Sequence, residues 1–272
     1  MAPPSYPSVA DIDFAELYRQ HMAATGRPKP ASVWDARAEA LPARGGDTRY
    51  TQAFLAQMDF TGCDSLLDVG CGTGTIALAA APRLRRVVGL DYSARMLARF
   101  EEGARDLPDG CEARTILRSW DEPWDDVPEC DIVVASRSTA VVDMADALRR
   151  LHGKARKRVY LTSMVGGHFN DVAVHRLLGR PVPEAVPDYI YIVHILYAMG
   201  IHPCVTYLDG ASGVVVRDLA EACAQAEARV GALSDQERAT LQAWWSAQPA
   251  GAAVLTPGTR WALISWDKAE AR

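Results

Sequence analysis

The sequence predicts an α/β protein built on a seven-stranded, mostly parallel sheet with helices on both faces. Three observations carry that expectation. Between residues 65 and 164, apolar runs of strand length alternate with helical patterns, as parallel βαβ units do. The runs are apolar at consecutive positions, which is how strands covered on both faces read. The first of them ends in a turn with glycine at every second position, directly before a helix.

Helices are expected first near residues 12–24, 32–40 and 48–58, with a polar break at Gly45-Gly46. The first strand is 65–69. A small-residue helix follows at 75–81, with Pro82 near its end. The second strand, 86–90, closes on Asp91, and Ser93 offers an N-cap hydroxyl to a helix reaching about residue 105. Strands at 113–118 and 131–136, a helix at 142–151 and a fifth strand at 158–164 complete the regular section. After Met164 the alternation loosens. Gly166-Gly167-His168 opens a segment holding Pro181, Pro183 and Pro187, followed by an aromatic helical run at 188–199. A sixth strand at 203–208, helices at 216–230 and 234–246, and a last strand at 260–266 finish the chain. The whole of 1–272 reads as one domain. It comprises an N-terminal helical cover at 1–60, a core at 61–165, a lid or substrate insertion at 166–201 and a C-terminal part of the sheet at 202–272. The insertion is expected over the carboxyl edge of the sheet, where ligand clefts lie in open α/β folds.

Composition bounds the function classes. Of 272 residues 49% are hydrophobic and 23% charged, enough for a buried core and incompatible with a disordered chain. The net charge of −5 gives no whole-molecule attraction to nucleic acid or to an anionic bilayer. The longest strongly apolar stretch, 189–201, is broken by His194 and is too short to span a bilayer. The first residues carry no basic segment followed by an apolar one, so no secretory signal is expected. Six cysteines show no CxxC or Cys/His ligand spacing and read as reduced thiols. A soluble, cytoplasmic protein is expected.

The chemistry sits in Leu67-Asp68-Val69-Gly70-Cys71-Gly72-Thr73-Gly74. Glycines after a strand let the backbone bend tightly and approach a ligand, and the following helix start presents unpaired N–H groups. Such a turn by itself is also ordinary βα geometry; Asp91 at the end of the next strand tips the reading, since a carboxylate there suits two adjacent ribose hydroxyls. A nicotinamide fingerprint, GxGxxG, would place its third glycine on Thr75, whereas here the spacing is GxGxG. Asp68, two residues before the first glycine, would repel a pyrophosphate but suits a ligand bearing an ammonium and a sulfonium. The charge argument favours S-adenosylmethionine over NAD.

These residues, with Gly89-Leu90-Asp91-Tyr92-Ser93, Met96-Leu97 and the strand at 131–136, resemble the class I S-adenosylmethionine-dependent methyltransferases of the small-molecule group. The resemblance covers about residues 60–165 and implies a Rossmann-like fold. It implies that Gly70, Cys71, Gly72 and Gly74 pass the backbone under the methionine and ribose of the cofactor. Asp68 would orient the turn and the methionine ammonium, and Asp91 would accept both ribose hydroxyls. Tyr92 and Met96 would lie on the adenine, or simply fill the core. Ser119-Trp120 stand where the family carries an acid and a small or apolar residue, which leaves Asp121 as a rival. Ser136 would sit beside the reactive methyl. Trp34-Asp35-x-Arg37-Ala38 and Tyr50 resemble parts of the N-terminal segment that closes over the cofactor.

The acceptor is less legible. In-line displacement needs a lone pair placed against the methyl and water excluded. After the fourth strand stand Ser136-Arg137-Ser138-Thr139, in place of the (Asn/Asp)-Pro-Pro-(Tyr/Phe) signature of enzymes that methylate bases or amides. No carboxylate cluster of a catechol-type site is evident, so no catalytic metal is expected. His168 is the candidate base, or a loop histidine without a role. Arg137 and Ser138 are candidate substrate contacts; Arg137 would bind an acidic group or pair with Asp143. Tyr189, Tyr191, His194 and Tyr197 share helical spacing and line a pocket for a flat molecule, or pack under a lid. Arg149, Arg150, Lys154, Arg156, Lys157 and Arg158 form a basic cluster without interleaved aromatics, which reads as a solvated helix end before an RNA patch. The expected function is metal-independent methyl transfer to a nitrogen or oxygen of a small molecule, releasing S-adenosylhomocysteine. RNA or protein methylation, and a non-catalytic sensor or scaffold subunit that binds S-adenosylmethionine, are the alternatives. No nucleic-acid or membrane partner is expected, and a homodimer is left open.

Overall fold

The computed structural model describes residues 8–25, 29–41, 48–107, 109–168, 171–209, 213–249 and 251–268. The expected Gly45-Gly46 break lies outside them. Three helices, α1 (Phe14–Thr25), α2 (Ala31–Ala38) and α3 (Thr48–Ala56), precede β1 (Ser65–Val69). The core continues through α4 (Ala77–Ala80), β2 (Arg86–Asp91), α5 (Ala94–Ala104), β3 (Glu112–Leu117), β4 (Cys130–Ala135), α6 (Met144–Lys154) and β5 (Ala155–Met164). Then come α7 (Val172–Leu177), α8 (Tyr189–Ala198), β6 (Cys204–Asp209), β7 (Val214–Val216), α9 (Leu219–Val230), α10 (Asp235–Ser246), β8 (Ala253–Thr256) and β9 (Arg260–Asp267).

Seven strands form one sheet in the order β3-β2-β1-β4-β5-β9-β6, parallel except for β9. The central strands are buried along their whole length, so alternate residues feed two cores. Leu67, Val69, Val88, Val133 and Leu161 face α1, α6 and α8, while Leu66, Val87, Ile132 and Val134 face α3, α4 and α5. At order-of-magnitude level each such fully buried aliphatic side chain contributes about 1.5–3 kcal/mol. Strands β1 and β4 lie adjacent with Leu67 opposite Val133, which brings the glycine turn and the loop after β4 side by side.

Two departures from the sequence reading matter for function. The stretch expected as a lid divides. Its second helix, α8, buries Ile192, Ile195 and Leu196 in the main core and so covers the sheet, whereas α7 leaves it. In 202–272, only β6 and β9 join the large sheet. Antiparallel β7 and β8, together with α7, α9 and α10, enclose a separate small core of Val174, Val216, Ala222, Leu241 and Leu255. The helix expected from residue 216 starts at Leu219, because Asp218 accepts from the Glu221 N–H and caps it there.

Candidate active site

The carboxyl ends of β1, β2 and β4 converge on a crevice whose floor is the glycine turn. Gly70, Gly72 and Gly74 all have positive φ (68°, 55° and 85°). They differ in what lies beyond the missing Cβ. A Cβ on Gly70 would come 2.3 Å from Ser138 Cβ, and one on Gly74 2.7 Å from Leu78 and Phe100. A Cβ on Gly72 would meet nothing nearer than Met96 Sδ at 4.0 Å. Gly72 therefore marks the open side of the turn, and buried Met96 stands across from it.

Asp68 is 2% exposed. Its Oδ2 accepts from the Ala77 N–H at 3.2 Å, which ties the end of β1 to the start of α4. Its Oδ1 has no partner among the described residues. Burial, with a smaller contribution from the neighbouring Asp91 charge, pushes the Asp68 carboxyl up to about 7. Asp91, 6% exposed, accepts from Gly72 N–H at 2.8 Å through Oδ2 and from Ser93 N–H at 2.9 Å through Oδ1. Burial raises its pKa too. Each oxygen of an ionised carboxylate has two acceptor sites, so the bonds to Gly72 and Ser93 leave capacity for a ligand's hydroxyls. Cys71 contributes packing: its thiol is buried, a Cβ on Gly89 would lie 2.9 Å from its Sγ, and its N–H bonds to Leu90 O at 3.1 Å.

The N-terminal cover reaches this crevice through α2. Asp35 Oδ1 accepts from Ser93 Oγ at 2.6 Å and from the Arg95 N–H at 3.2 Å, at the start of α5. Tyr92 donates to Lys29 O at 2.8 Å and Arg99 to Ala38 O at 3.3 Å. After β3, Arg118 N–H bonds to Asp91 O at 2.9 Å, which sets Ser119 and Trp120 beside the end of β2. The Ser119 carbonyl accepts from Trp124 Nε1, and the Trp120 ring packs on Trp124 with centroids 5.4 Å apart. Asp121, the rival to Ser119, is exposed.

At the neighbouring strand ends a hydroxyl chain forms. Tyr50 from α3 is fully buried, with its hydroxyl 2.8 Å from Ser136 Oγ and 3.0 Å from Thr162 Oγ1 of β5. Burial raises the Tyr50 pKa. The Arg137 N–H donates to Thr162 Oγ1 at 2.9 Å, and the Arg137 guanidinium lies on the Tyr50 ring at 4.2 Å. Tyr50 had a faint sequence signal; Thr162 had none beyond being a polar residue in an apolar strand.

Several expected acceptor contacts are engaged elsewhere. Ser138 donates to Val69 O at 2.6 Å and packs on Gly70, stapling the loop after β4 to the glycine turn. Tyr189 shares a 2.8 Å hydrogen bond with Tyr207 on the β6 edge. His194 stacks on Phe14 of α1, with ring centroids 4.1 Å apart, because α8 turns that face to the N-terminal cover. Tyr191 bonds to His21 Nδ1 at 2.9 Å. Asp143 caps α6 and pairs with Arg19, so it is not the partner of Arg137. His168, half-buried beyond β5, makes no hydrogen bond with any described residue; Phe169 and Asn170 beside it lie outside them. The basic cluster lies about the amino end of β5, opposite the crevice. There Arg149 and Arg150 meet Asp146, Lys154 meets Val127 O, Arg156 meets Asp131, Lys157 meets Gly62 O, and Arg158 meets Asp59. Among the described residues no helix is long and apolar enough to cross a membrane.

Residues 66–157 match a family model described as a methyltransferase domain. Over 270 residues the chain is 36% identical to an uncharacterised protein of Haemophilus influenzae, a match covering 96% of this chain and 98% of that protein. A chain of the Haloferax volcanii complex that contains the Trm112 methyltransferase activator matches with a TM-score of 0.52 at 15% identity, over 91% of this chain and 96% of that one. Magnesium protoporphyrin IX methyltransferase from Synechocystis, solved with bound S-adenosylhomocysteine, matches with a TM-score of 0.46 at 14% identity, over 73% of this chain and 94% of that one.

Proposed function

The chain belongs to the class I S-adenosylmethionine-dependent methyltransferases, and from that premise we propose that it transfers the methyl to a nitrogen or oxygen of a small molecule, holding the donor in the crevice at Gly72. The observation that carries the reading is the pair of buried carboxylates around an open glycine. Asp68 has an oxygen without a partner and Asp91 has spare acceptor capacity, and both have pKa values raised by burial. Two desolvated acids are costly unless a cation or hydroxyl donors join them. A donor with a methionine ammonium and a ribose supplies both; a dinucleotide supplies ribose hydroxyls but sets a pyrophosphate, not a cation, against Asp68.

When bound, S-adenosylmethionine supplies a methyl on positively charged sulfur, and the sulfur keeps the bond's electron pair as the acceptor's lone pair takes the carbon. Asp68 binds the ammonium through Oδ1 and anchors the turn through Ala77. Asp91 holds Gly72 N–H and Ser93 N–H and accepts the ribose hydroxyls. Met96, Tyr92, Ser119 and Trp120 form the adenine end, which α2 shields from water through Asp35. Ser136, bonded to the Tyr50 hydroxyl that Thr162 also holds, lines the methyl end. Orientation and exclusion of water supply most of the acceleration, as they do when the nucleophile is neutral. We assign to His168, on the loop after β5, the proton of a hydroxyl acceptor.

Thermal shift of the full chain with S-adenosylhomocysteine and with NAD tests the donor site. Stabilisation by the first alone is expected. Asp91→Ala lowers that affinity by about 1.5–3 kcal/mol, the range of a lost charged hydrogen bond. Stabilisation by NAD alone rejects the assignment.

A further inference from the structure

The loop after β4 points to the chemical class of the acceptor. Resting on the methyltransferase reading, we propose that the molecule receiving the methyl carries a carboxylate or phosphate oxyanion and that Arg137 binds it. The oxyanion is the handle by which the acceptor is held, not the atom that is methylated.

Arg137 is the one non-glycine residue with positive φ among the described residues, at 57°. A left-handed conformation costs a side chain of this size on the order of 1–2 kcal/mol and persists only where its surroundings impose it. The bonds that impose it lie on both sides. Its own N–H is held by Thr162 Oγ1 at 2.9 Å, Ser138 Oγ by Val69 O at 2.6 Å, and Thr139 Oγ1 by Thr162 O at 3.1 Å. The backbone is thus pinned to β1 and β5 so that the side chain leaves the strand ends where an acceptor must approach.

The guanidinium is placed as firmly. It lies on the ring of Tyr50, which is fully buried and held by Ser136 and Thr162. Stacking uses the flat face of the group and leaves the N–H donors at its rim. Those donors meet no acceptor among the described residues, although Arg137 is exposed at the crevice mouth. Elsewhere arginines are spent on acids, as Arg158 is on Asp59 and Asp267 and Arg180 on Glu237. Arg37 and Arg83 also lie on aromatic rings, but neither has a left-handed backbone nor follows a central strand. A planar fork with fixed orientation and unspent donors is the geometry that grips a carboxylate or phosphate by two bonds. The rival occupant is the donor's own carboxylate, since Ser138 staples the Arg137 loop to the glycine turn.

The test incubates the full chain with methyl-labelled S-adenosylmethionine and a small-molecule extract, then passes the products over an anion exchanger at pH 8. Wild type is expected to place the label in the retained fraction. Phosphatase treatment distinguishes the two oxyanions: a phosphate acceptor loses retention and a carboxylate keeps it. With the purified retained acceptor, Arg137→Gln raises KM at least tenfold and changes the dissociation constant for S-adenosylhomocysteine less than twofold. Arg137→Lys, which keeps the charge without the fork, recovers only part of the loss. Labelled product, separated from unreacted donor, in the unretained fraction overturns the proposal. So does an Arg137→Gln variant that weakens S-adenosylhomocysteine while leaving the acceptor KM unchanged, since Arg137 would then serve the donor. S-adenosylhomocysteine binding by the wild type, measured on the same samples, reads the donor site separately, so a failed donor assignment is seen as absent binding rather than as misplaced label.

Discussion

Replacing Asp68 by Asn isolates the charge on which the proposed donor site depends. The Asn side-chain oxygen still accepts from Ala77 N–H, so the start of α4 keeps its tie to β1. What is lost is a carboxyl that burial holds at about 7, against the usual 3.8 of an aspartate. Because the folded-state pKa is raised, the folded state binds more protons than the unfolded state between those values, and the wild type without ligand loses stability as pH rises through them. Each unit corresponds to 1.36 kcal/mol. From pH 5 to pH 8 the wild type should therefore lose about 3 kcal/mol that Asp68→Asn does not lose. Binding has the opposite sign. The ammonium of S-adenosylhomocysteine needs the ionised carboxylate, so wild-type affinity rises about tenfold between pH 6 and pH 8 and then levels. The variant binds with a flat pH dependence and, at pH 8, about 1.5–3 kcal/mol more weakly, the range for a hydrogen bond to a charged group. Urea unfolding of both proteins at the two pH values and calorimetric titration with S-adenosylhomocysteine read the two effects. Equal affinity of variant and wild type at pH 8, or a stability difference that stays constant from pH 5 to pH 8, refutes the reasoning.

The glycines separate into two kinds by the same measurements. Gly70→Ala drives a Cβ into Ser138 at a positive φ and should lower stability by about 2–5 kcal/mol, the sum of left-handed strain and overpacking, seen as a lowered urea midpoint. Gly72→Ala carries the strain of its φ of 55° without the clash, so its stability loss stays near 1–2 kcal/mol while S-adenosylhomocysteine binding falls more steeply, because its methyl points into the crevice. His168→Ala is expected to leave S-adenosylhomocysteine affinity unchanged and to slow turnover of a hydroxyl acceptor by about 10²–10⁴-fold; a rate equal to wild type across pH 6–9 removes the histidine from the mechanism.

How much of this was legible in the sequence follows from where each constraint sits along the chain. The βαβ core was legible because its signals are local. Strands buried on both faces leave continuous apolar runs, and Ser93 caps α5 by accepting from Met96 three residues on. Asp68 and Gly72 are four residues apart, so a shared role shows as a motif. The small lobe left no such trace. Its strands β7 and β8 have three and four residues, too short for a period, and its core joins Val174 to residues some forty to eighty positions later. Helical spacing in α8 identified one face through Tyr191 and His194 but could not say what covers it, and the cover is α1. The acceptor end was hidden most thoroughly. Tyr50 meets Ser136 across 86 residues and Thr162 across 112, and only the parallel pairing of β1, β4 and β5 brings them together. The proposed donor site is a turn and a strand end about twenty residues apart, whereas the proposed acceptor end joins three strand ends and a helix from the N-terminal cover. A single sequence therefore carries a signal for the methyl donor before it carries one for the acceptor, and the left-handed Arg137 held on Tyr50 is the kind of feature that only the assembled fold exposes.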